Sequence, residues 1–443
     1  MCIDFLIEIF KQNSENPAIV FNDKIYMYAD LLNKFIYWDN YLKTKQIHNH
    51  VIAVNSEYNP DSIALLLAII ENLNIIVPLN PDVKNIKEKI KIAEAEYIFK
   101  FKQDSVTFDK TGYTASHELI KQLQKNNHPG IIFFSSGSTG VPKAALHDFE
   151  PFLNKYKIKR NASRTLLFLL FDHIGGINTL FHILSNGSLA VLPTERTADE
   201  VCELTEKYKI ELLPITPTFI NLILLSKAYE KYDLNTLKVV TYGTEAMPEF
   251  TLKRFHELFP DVKMQQTYGL TELGIMRTKS RSSNSLWLQV GGEDYGIKII
   301  DGILHIKART SILGYLNAAS PFNSEGWYNT GDLVEQDGEW IKFLGRESEI
   351  INVGGLKVFP TEVESAITEI SFVSDSIVYG EKNLIMGQIV VADVMFNEKA
   401  DNIKSKNEIR KLLRVKLDNY KIPVKINIVD NINFNERFKK IRR

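Results

Sequence analysis

The chain has 443 residues, 44% hydrophobic and 24% charged, with 53 Lys plus Arg against 54 Asp plus Glu and a formal net charge of -1. At roughly 150 residues per domain this length suggests two or three domains. Ordinary globular usage excludes a disordered chain, a fibre or a small disulfide scaffold, and the near-neutral balance lacks the basic footprint of a general nucleic-acid binder. Two cysteines, Cys2 and Cys202, cannot build a zinc cluster or a disulfide framework, so a reducing cytoplasm is the expected setting. The start, Met1-Cys-Ile-Asp-Phe-Leu-Ile-Glu8, carries acids where a signal peptide needs a basic start. The apolar run 63–70 falls short of the roughly 18 residues that span a bilayer. A soluble protein without a membrane anchor is expected.

Residues 51–54 read as a buried strand, 61–71 as a helix and 75–77 as the next strand, closed by Pro78. Apolar runs of strand length recur at 131–134, 166–170, 210–214 and 237–241. Strands spaced by helix-length segments indicate βαβ units, and continuous apolar strands fit a parallel sheet covered on both faces. After about residue 285 the pattern changes. Residues 295–307 and 340–344 alternate as half-buried antiparallel strands do, with hairpin dipeptides at Asp301-Gly302 and Asp337-Gly338. The last hundred residues form a further small α/β unit. Thr361-Glu-Val-Glu364 after Pro360 fits a capping box, 389–392 suits a strand, and Ile409, Leu412, Leu413, Leu417 and Tyr420 follow helical spacing up to Pro423. The boundary falls near 345–348, giving domains 1–346 and 347–443.

Four segments could carry chemistry. Ser135-Ser-Gly-Ser-Thr-Gly-Val-Pro-Lys143 follows a strand and combines hydroxyl and N–H donors, flexible glycines and a lysine. Such a loop can wrap polyphosphate oxygens, although it is not a Walker A sequence; the alternative is a surface turn. In Gln266-Thr-Tyr-Gly-Leu-Thr-Glu272, Tyr268 could stack on a base, Thr271 meet a phosphate and Glu272 hold Mg²⁺; the alternative is a turn with a helix cap. Gly326-Trp-Tyr-Asn-Thr-Gly-Asp332 ends in a carboxylate that can accept from both hydroxyls of a ribose. The charged, glycine-bounded run 345–355 reads as a hinge or a plain linker.

Each segment is weak alone, but their order is specific. Together they resemble the adenylate-forming (AMP-binding) superfamily of acyl- and aryl-CoA synthetases, peptide-synthetase adenylation domains and luciferases, over essentially the whole chain. The segment 352–364 looks more like the acyl/aryl-CoA ligase branch. The resemblance implies an α/β fold: a large N-terminal domain of βαβ-type sheets with a small β-rich subdomain, and a small mobile C-terminal lid. It implies ATP-dependent activation of a carboxylic acid to an acyl-adenylate, with pyrophosphate release. Transfer to a thiol follows, either of CoA or of a carrier-protein phosphopantetheine. Carried over residue by residue, Ser135, Ser136, Gly137, Ser138, Thr139, Gly140 and Lys143 would hold the β,γ-phosphates. Gly243, Thr244, Glu245, Tyr268 and Gly269 would frame the adenine, and Asp332 would take the ribose with Arg346 beside it. Thr271 would meet phosphate, and Glu272 would bind Mg²⁺. His173, in Phe171-Asp-His-Ile-Gly-Gly-Ile177, would line the acyl pocket, with Gly175 and Gly176 leaving room for a ligand or for close packing. Ser348 would mark the hinge.

The adenylation lysine would be Lys440. Lys439 competes, because the family has glycine directly before its lysine and this chain has Phe438-Lys439 there. Amino-acid adenylation stays open through Asp172, which could pair a substrate ammonium. So do an ADP-forming phosphotransferase and a non-catalytic nucleotide-binding homologue.

Overall fold

The computed structural model describes residues 2–82, 85–102, 105–135, 141–397 and 402–442. Val51–Asn55 lies between Ile75–Leu79 and Tyr97–Lys102, parallel to both, and Ile75–Leu79 pairs in parallel with Gly130–Ser135. Lys143–Asp148 adds antiparallel to Gly130–Ser135, and Gly314–Tyr315 closes that edge. A second sheet carries Lys263–Gln266, Val239–Tyr242, Leu212–Ile215, Thr165–Leu166, Ala190–Val191 and Pro17–Phe21 in parallel, with Lys24–Met27 antiparallel at its edge.

Helix Pro60–Glu71 joins the two sheets. Residues 62–70 are buried around the whole helix, as befits a helix inside a core. Asn59 starts it, with Oδ1 accepting from the N–H groups of Asp61 and Ser62, while Ser62 Oγ accepts from the N–H of Asn59. Pro60 occupies the first turn, where no N–H is required. The helix shares one apolar cluster with Ile52 and Val54 of the first sheet and Ile19 and Ala190 of the second. The run 166–170 forms a strand only over Thr165–Leu166; past it the chain leaves the sheet, and Phe168 and Leu170 line a cleft instead.

Six antiparallel strands follow, in the spatial order Arg277–Ser280, Trp287–Gly291, Trp340–Arg346, Tyr328–Asp337, Ile303–Ala308 and Tyr295–Ile300. Asp301 and Gly302, at φ 52° and 78°, make the left-handed pair that matches strand twist in a tight hairpin. After Arg346 one turn, Glu347–Glu349, leads to a five-stranded sheet, whose apolar face packs against Ile367 of helix Pro360–Thr368 and Ile409 and Leu413 of helix Asn402–Lys416. The expected capping box at 361–364 does not form. The helix begins one residue earlier, at Pro360, and Glu364 is buried, accepting from the N–H of Val378 and pairing with Arg442.

Helix Ile174–Ser185 is pressed onto the chain before it. A Cβ on Gly176 would lie 2.1 Å from the Leu170 carbonyl oxygen and 2.9 Å from Tyr58 Oη. Gly176 therefore serves backbone packing rather than ligand space. Because a backbone oxygen cannot yield, Gly176→Ala is expected to destabilise the protein by about 1–3 kcal/mol. A lower urea midpoint at unchanged slope is the corresponding reading.

Candidate active site

The phosphate-loop segment is pinned at both ends, since Ser135 lies opposite Lys143 on adjacent strands. Ser136, Gly137, Ser138, Thr139 and Gly140 lie outside the described residues. Lys143 Nζ stands 5.2 Å from the centre of the Tyr315 ring, and Tyr315 Oη donates to Glu272 Oε1 at 2.6 Å. Tyr315 thus couples the loop lysine to the carboxylate. The adjacent Thr271 carbonyl accepts from His147 Nε2 at 2.6 Å. His147 is buried, and burial lowers its pKa from 6.5 to about 4, so its imidazole is neutral and its Nε2 carries the donated proton.

Gly243, Thr244 and Glu245 follow the strand Val239–Tyr242, and Tyr268 and Gly269 follow Lys263–Gln266. Ligands bind beyond the carboxyl ends of parallel strands, where side chains and loops are free of the ladder. The two segments approach closely: a Cβ on Gly243 would meet Thr267 Oγ1 at 2.5 Å and the Thr267 carbonyl oxygen at 2.6 Å. Gly269 is as tightly held, with Gly274 O 2.8 Å from where its Cβ would be. Thr244 adopts φ 73°, a strained conformation for a β-branched residue. Its Oγ1 is buried without a hydrogen-bond partner among the described residues. Glu245 accepts from the N–H of Thr218 at 2.8 Å, so its carboxylate caps a helix.

Tyr268 stacks on Phe343, with centroids 4.4 Å apart and planes 24° apart, which covers one face of its ring. Its Oη donates to Asp332 Oδ2 at 2.6 Å. Arg346 Nε lies 3.2 Å from Asp332 Oδ1, directly across the strand pair. Burial raises the pKa of Asp332, while Arg346 and Tyr268 oppose that rise. A carboxylate offers about four lone-pair sites, so these two partners leave acceptor capacity for hydroxyls.

His173 caps helix Ile174–Ser185, its Nδ1 accepting from the N–H of Gly175 at 3.1 Å. The imidazole proton is therefore on Nε2. Burial, with Arg437 and Lys439 nearby, holds its pKa well below the usual value. The imidazole lines a narrow cleft together with Phe168, Leu170, Thr216, Thr244 and Lys439. Asp172 faces the chain's own Arg437, Nη2 to Oδ2 at 3.4 Å.

The C-terminal tail reaches both domains. Lys440 Nζ does not face the cleft; it is buried and donates to Asp375 Oδ1 at 2.7 Å and to the Ser376 carbonyl at 2.8 Å. Burial works against its charge, but Asp375 and Glu364 raise its pKa on balance. The neighbouring Lys439 lines the cleft instead, with no carboxylate at salt-bridge distance among the described residues. Burial, and then Arg437, lower its pKa to about 8. Phe438 adopts φ 52°, a conformation that favours glycine.

For Mg²⁺, no group of three or more metal-ligating side chains exists among the described residues. Glu272 still fits the ion, which is commonly bound by one or two carboxylates plus substrate phosphates. Its Oε1 is taken by Tyr315, and its second oxygen has no protein donor among the described residues. Among the described residues, no helix is long and apolar enough to cross a membrane.

Residues 8–292 match the family model described as AMP-binding enzyme, and 362–439 match that of its C-terminal domain. The chain belongs to the AMP-binding enzyme family. Its relatives include an indoleacetate–CoA ligase of Aromatoleum aromaticum, 26% identical over 69% of this chain; the match spans 64% of that relative, less than two thirds of its length. A 2-succinylbenzoate–CoA ligase of Bacillus pumilus is 25% identical over 94% of this chain and 92% of its own. The fold is shared with an anthranilate CoA ligase, AuaEII, solved in complex with anthranoyl-AMP, at a TM-score of 0.84 and 18% identity, covering 99% of this chain and 95% of that one.

The two adjacent lysines should separate in stability measurements. Lys440→Ala strands the buried Asp375 carboxylate and is expected to cost about 1.5–3 kcal/mol, the range for hydrogen bonds to charged groups. Lys439→Ala removes a half-buried cation with no counter-ion among the described residues, so stability should hold or rise. Urea midpoints of the two variants check this, and a larger loss in Lys439→Ala would overturn the assignment of partners.

Proposed function

We propose that this chain is an AMP-forming acid–thiol ligase, with residues 1–346 binding ATP and acid and residues 347–443 acting as a lid. The observation that carries the reading is that Lys439 lines one cleft with His173 and with Thr244, a residue of the segment suited to the nucleotide. We assign the adenylation lysine to Lys439 rather than Lys440. The register supports this, because Phe438, directly before Lys439, adopts φ 52°, a conformation that favours glycine, the residue the family has before its lysine.

The carboxylic acid is already ionised at neutral pH, so the first step needs no general base. A carboxylate oxygen attacks the α-phosphorus of ATP, and the bond to the β-phosphate breaks, releasing pyrophosphate. The obstacle is repulsion between anions. Lys439 and Lys143 oppose it as preorganised positive charge, Asp332 and Arg346 hold the ribose, and Tyr268 offers its uncovered face to the adenine. Mg²⁺, when present with the nucleotide, would be held by Glu272 and would neutralise phosphate charge. In the second step a thiol sulfur attacks the acyl carbon, the bond to AMP breaks and the thiol proton passes to solvent. Neither step requires a cysteine of the chain.

The cleft lining of Phe168, Leu169 and Leu170 suits an apolar acyl or aryl group. Asp172 already has Arg437 as its cation, which favours an acid without an ammonium group. The names of the relatives point the same way. A pyrophosphate-release screen over indole-3-acetate, anthranilate, 2-succinylbenzoate, fatty acids and amino acids tests the reading, repeated with CoA and with a holo carrier protein. AMP is the expected nucleotide product. Formation of ADP, or activation of amino acids alone, would reject it.

The charge on Lys439 gives a pH signature. Its protonated form is the one that opposes anionic repulsion, and its pKa is lowered to about 8. Adenylation kcat/KM for ATP, which reports ionisations of the enzyme before ATP binds, is therefore expected to fall as pH rises through about 8. Lys439→Arg keeps its charge throughout this range and should flatten that limb, whereas Lys439→Ala should be slow at every pH.

A further inference from the structure

Three consecutive residues of the tail are directed to three different places. Phe438 enters the large domain, Lys439 the cleft and Lys440 the small sheet. The Phe438 ring packs against Phe168 and Phe219, with centroids at 5.3 and 5.1 Å, and stacks on Phe434 at 5.6 Å. Phe168 and Phe219 are core residues of the large domain, 4.3 Å apart. The Phe438 carbonyl accepts from Thr216 Oγ1 at 3.1 Å, and the same Oγ1 caps helix Pro217–Ser226 by accepting from the N–H of Phe219. Ring and carbonyl therefore grip one rigid corner, the start of that helix.

The backbone at Phe438 is costly. An aromatic residue at φ 52° sits in a region that L-residues other than glycine avoid. Such strain persists where the surroundings over-determine it, and it concentrates at functional sites. Here burial of the ring and the Thr216 hydrogen bond over-determine it. Lys439 is held from the other side by Lys440 on Asp375 and by Arg442 on Glu364. A long, flexible amine without a counter-ion has little to keep it in place by itself. Its position is set by these two anchors.

We infer that Phe438 is a positioning residue: its ring, docked on Phe168 and Phe219, seats the Lys439 amine in the cleft for adenylation. The inference rests on the assignment of Lys439 made above. Misplacement of a catalytic group by about 1 Å can cost on the order of 100-fold in rate, so Phe438→Ala is expected to slow acid-dependent pyrophosphate release roughly 10–100-fold in kcat, with little change in KM for ATP. Thiolysis of supplied acyl-adenylate brings no polyphosphate against an anion and should keep its rate. Phe438→Gly adopts the backbone conformation freely but lacks the ring, and should be as slow as Phe438→Ala. Phe438→Leu, which keeps apolar bulk, should recover part of the rate.

Hydrogen exchange over 434–442, read without any substrate, should quicken in the Ala and Gly variants and not in Leu. A wild-type rate in Phe438→Gly, equal loss in both half-reactions, or unchanged exchange in Phe438→Ala would each overturn the inference. Lys439→Ala run in parallel separates the two claims. If it loses adenylation while Phe438→Ala does not, the positioning role alone fails. If it keeps adenylation, the lysine assignment fails, and the positioning role with it.

Discussion

A carboxylate withdrawn from water has to recover its hydrogen bonds from the protein, and at Asp332 the donors come from separate parts of the fold. Tyr268 arrives from the end of a parallel strand and Arg346 from the neighbouring antiparallel one. Satisfying this one group therefore sets how the antiparallel sheet sits against the end of the parallel sheet. The stacking of Tyr268 on Phe343 reinforces the same junction with apolar contact. Arg346 is also the residue after which the chain turns toward the small sheet. The path into the small C-terminal domain thus begins at the same carboxylate.

Much of this architecture was legible in the sequence, for a definite reason. Strands covered on both faces must be apolar throughout, so 51–54 and 131–134 stand out, whereas 166–170 looks the same but leaves the sheet after Leu166, and Phe168 and Leu170 line the cleft instead. Lys143, Tyr268, Asp332 and Arg346 were picked out as candidates by motif order, and the last three do come together. Tyr315, His147 and Phe343 were not, since a lone aromatic or imidazole in a strand carries no pattern that separates core from site. The two lysines show a different limit. Neighbouring side chains of an extended segment point to opposite faces, so a slip of one position exchanges cleft for core. The signal that could have decided it was the replacement of glycine by Phe438, read as a demand on backbone conformation rather than as a departure from a motif.

The tail is shared between two cores. Arg437 and Phe438 belong by contact to the large domain, Lys440 and Arg442 to the small one. Between them, Lys439 has no carboxylate at salt-bridge distance among the described residues. Local stability and chemical purpose are separated here at the level of single residues. The well-paired lysine holds structure, and the adenylation role proposed above falls to the poorly paired one.

The neutral histidines carry a cost at low pH. His147 is buried and His173 half-buried, and desolvation together with nearby cations holds the pKa of each below that of free imidazole. As pH falls below about 6.5, the unfolded chain takes up these protons first, so opening becomes coupled to proton uptake and the folded state loses ground toward pH 4. His147 holds the Thr271 turn and His173 starts the helix under the cleft. Acid stress would therefore be felt first at the Thr271 turn and at the start of helix Ile174–Ser185.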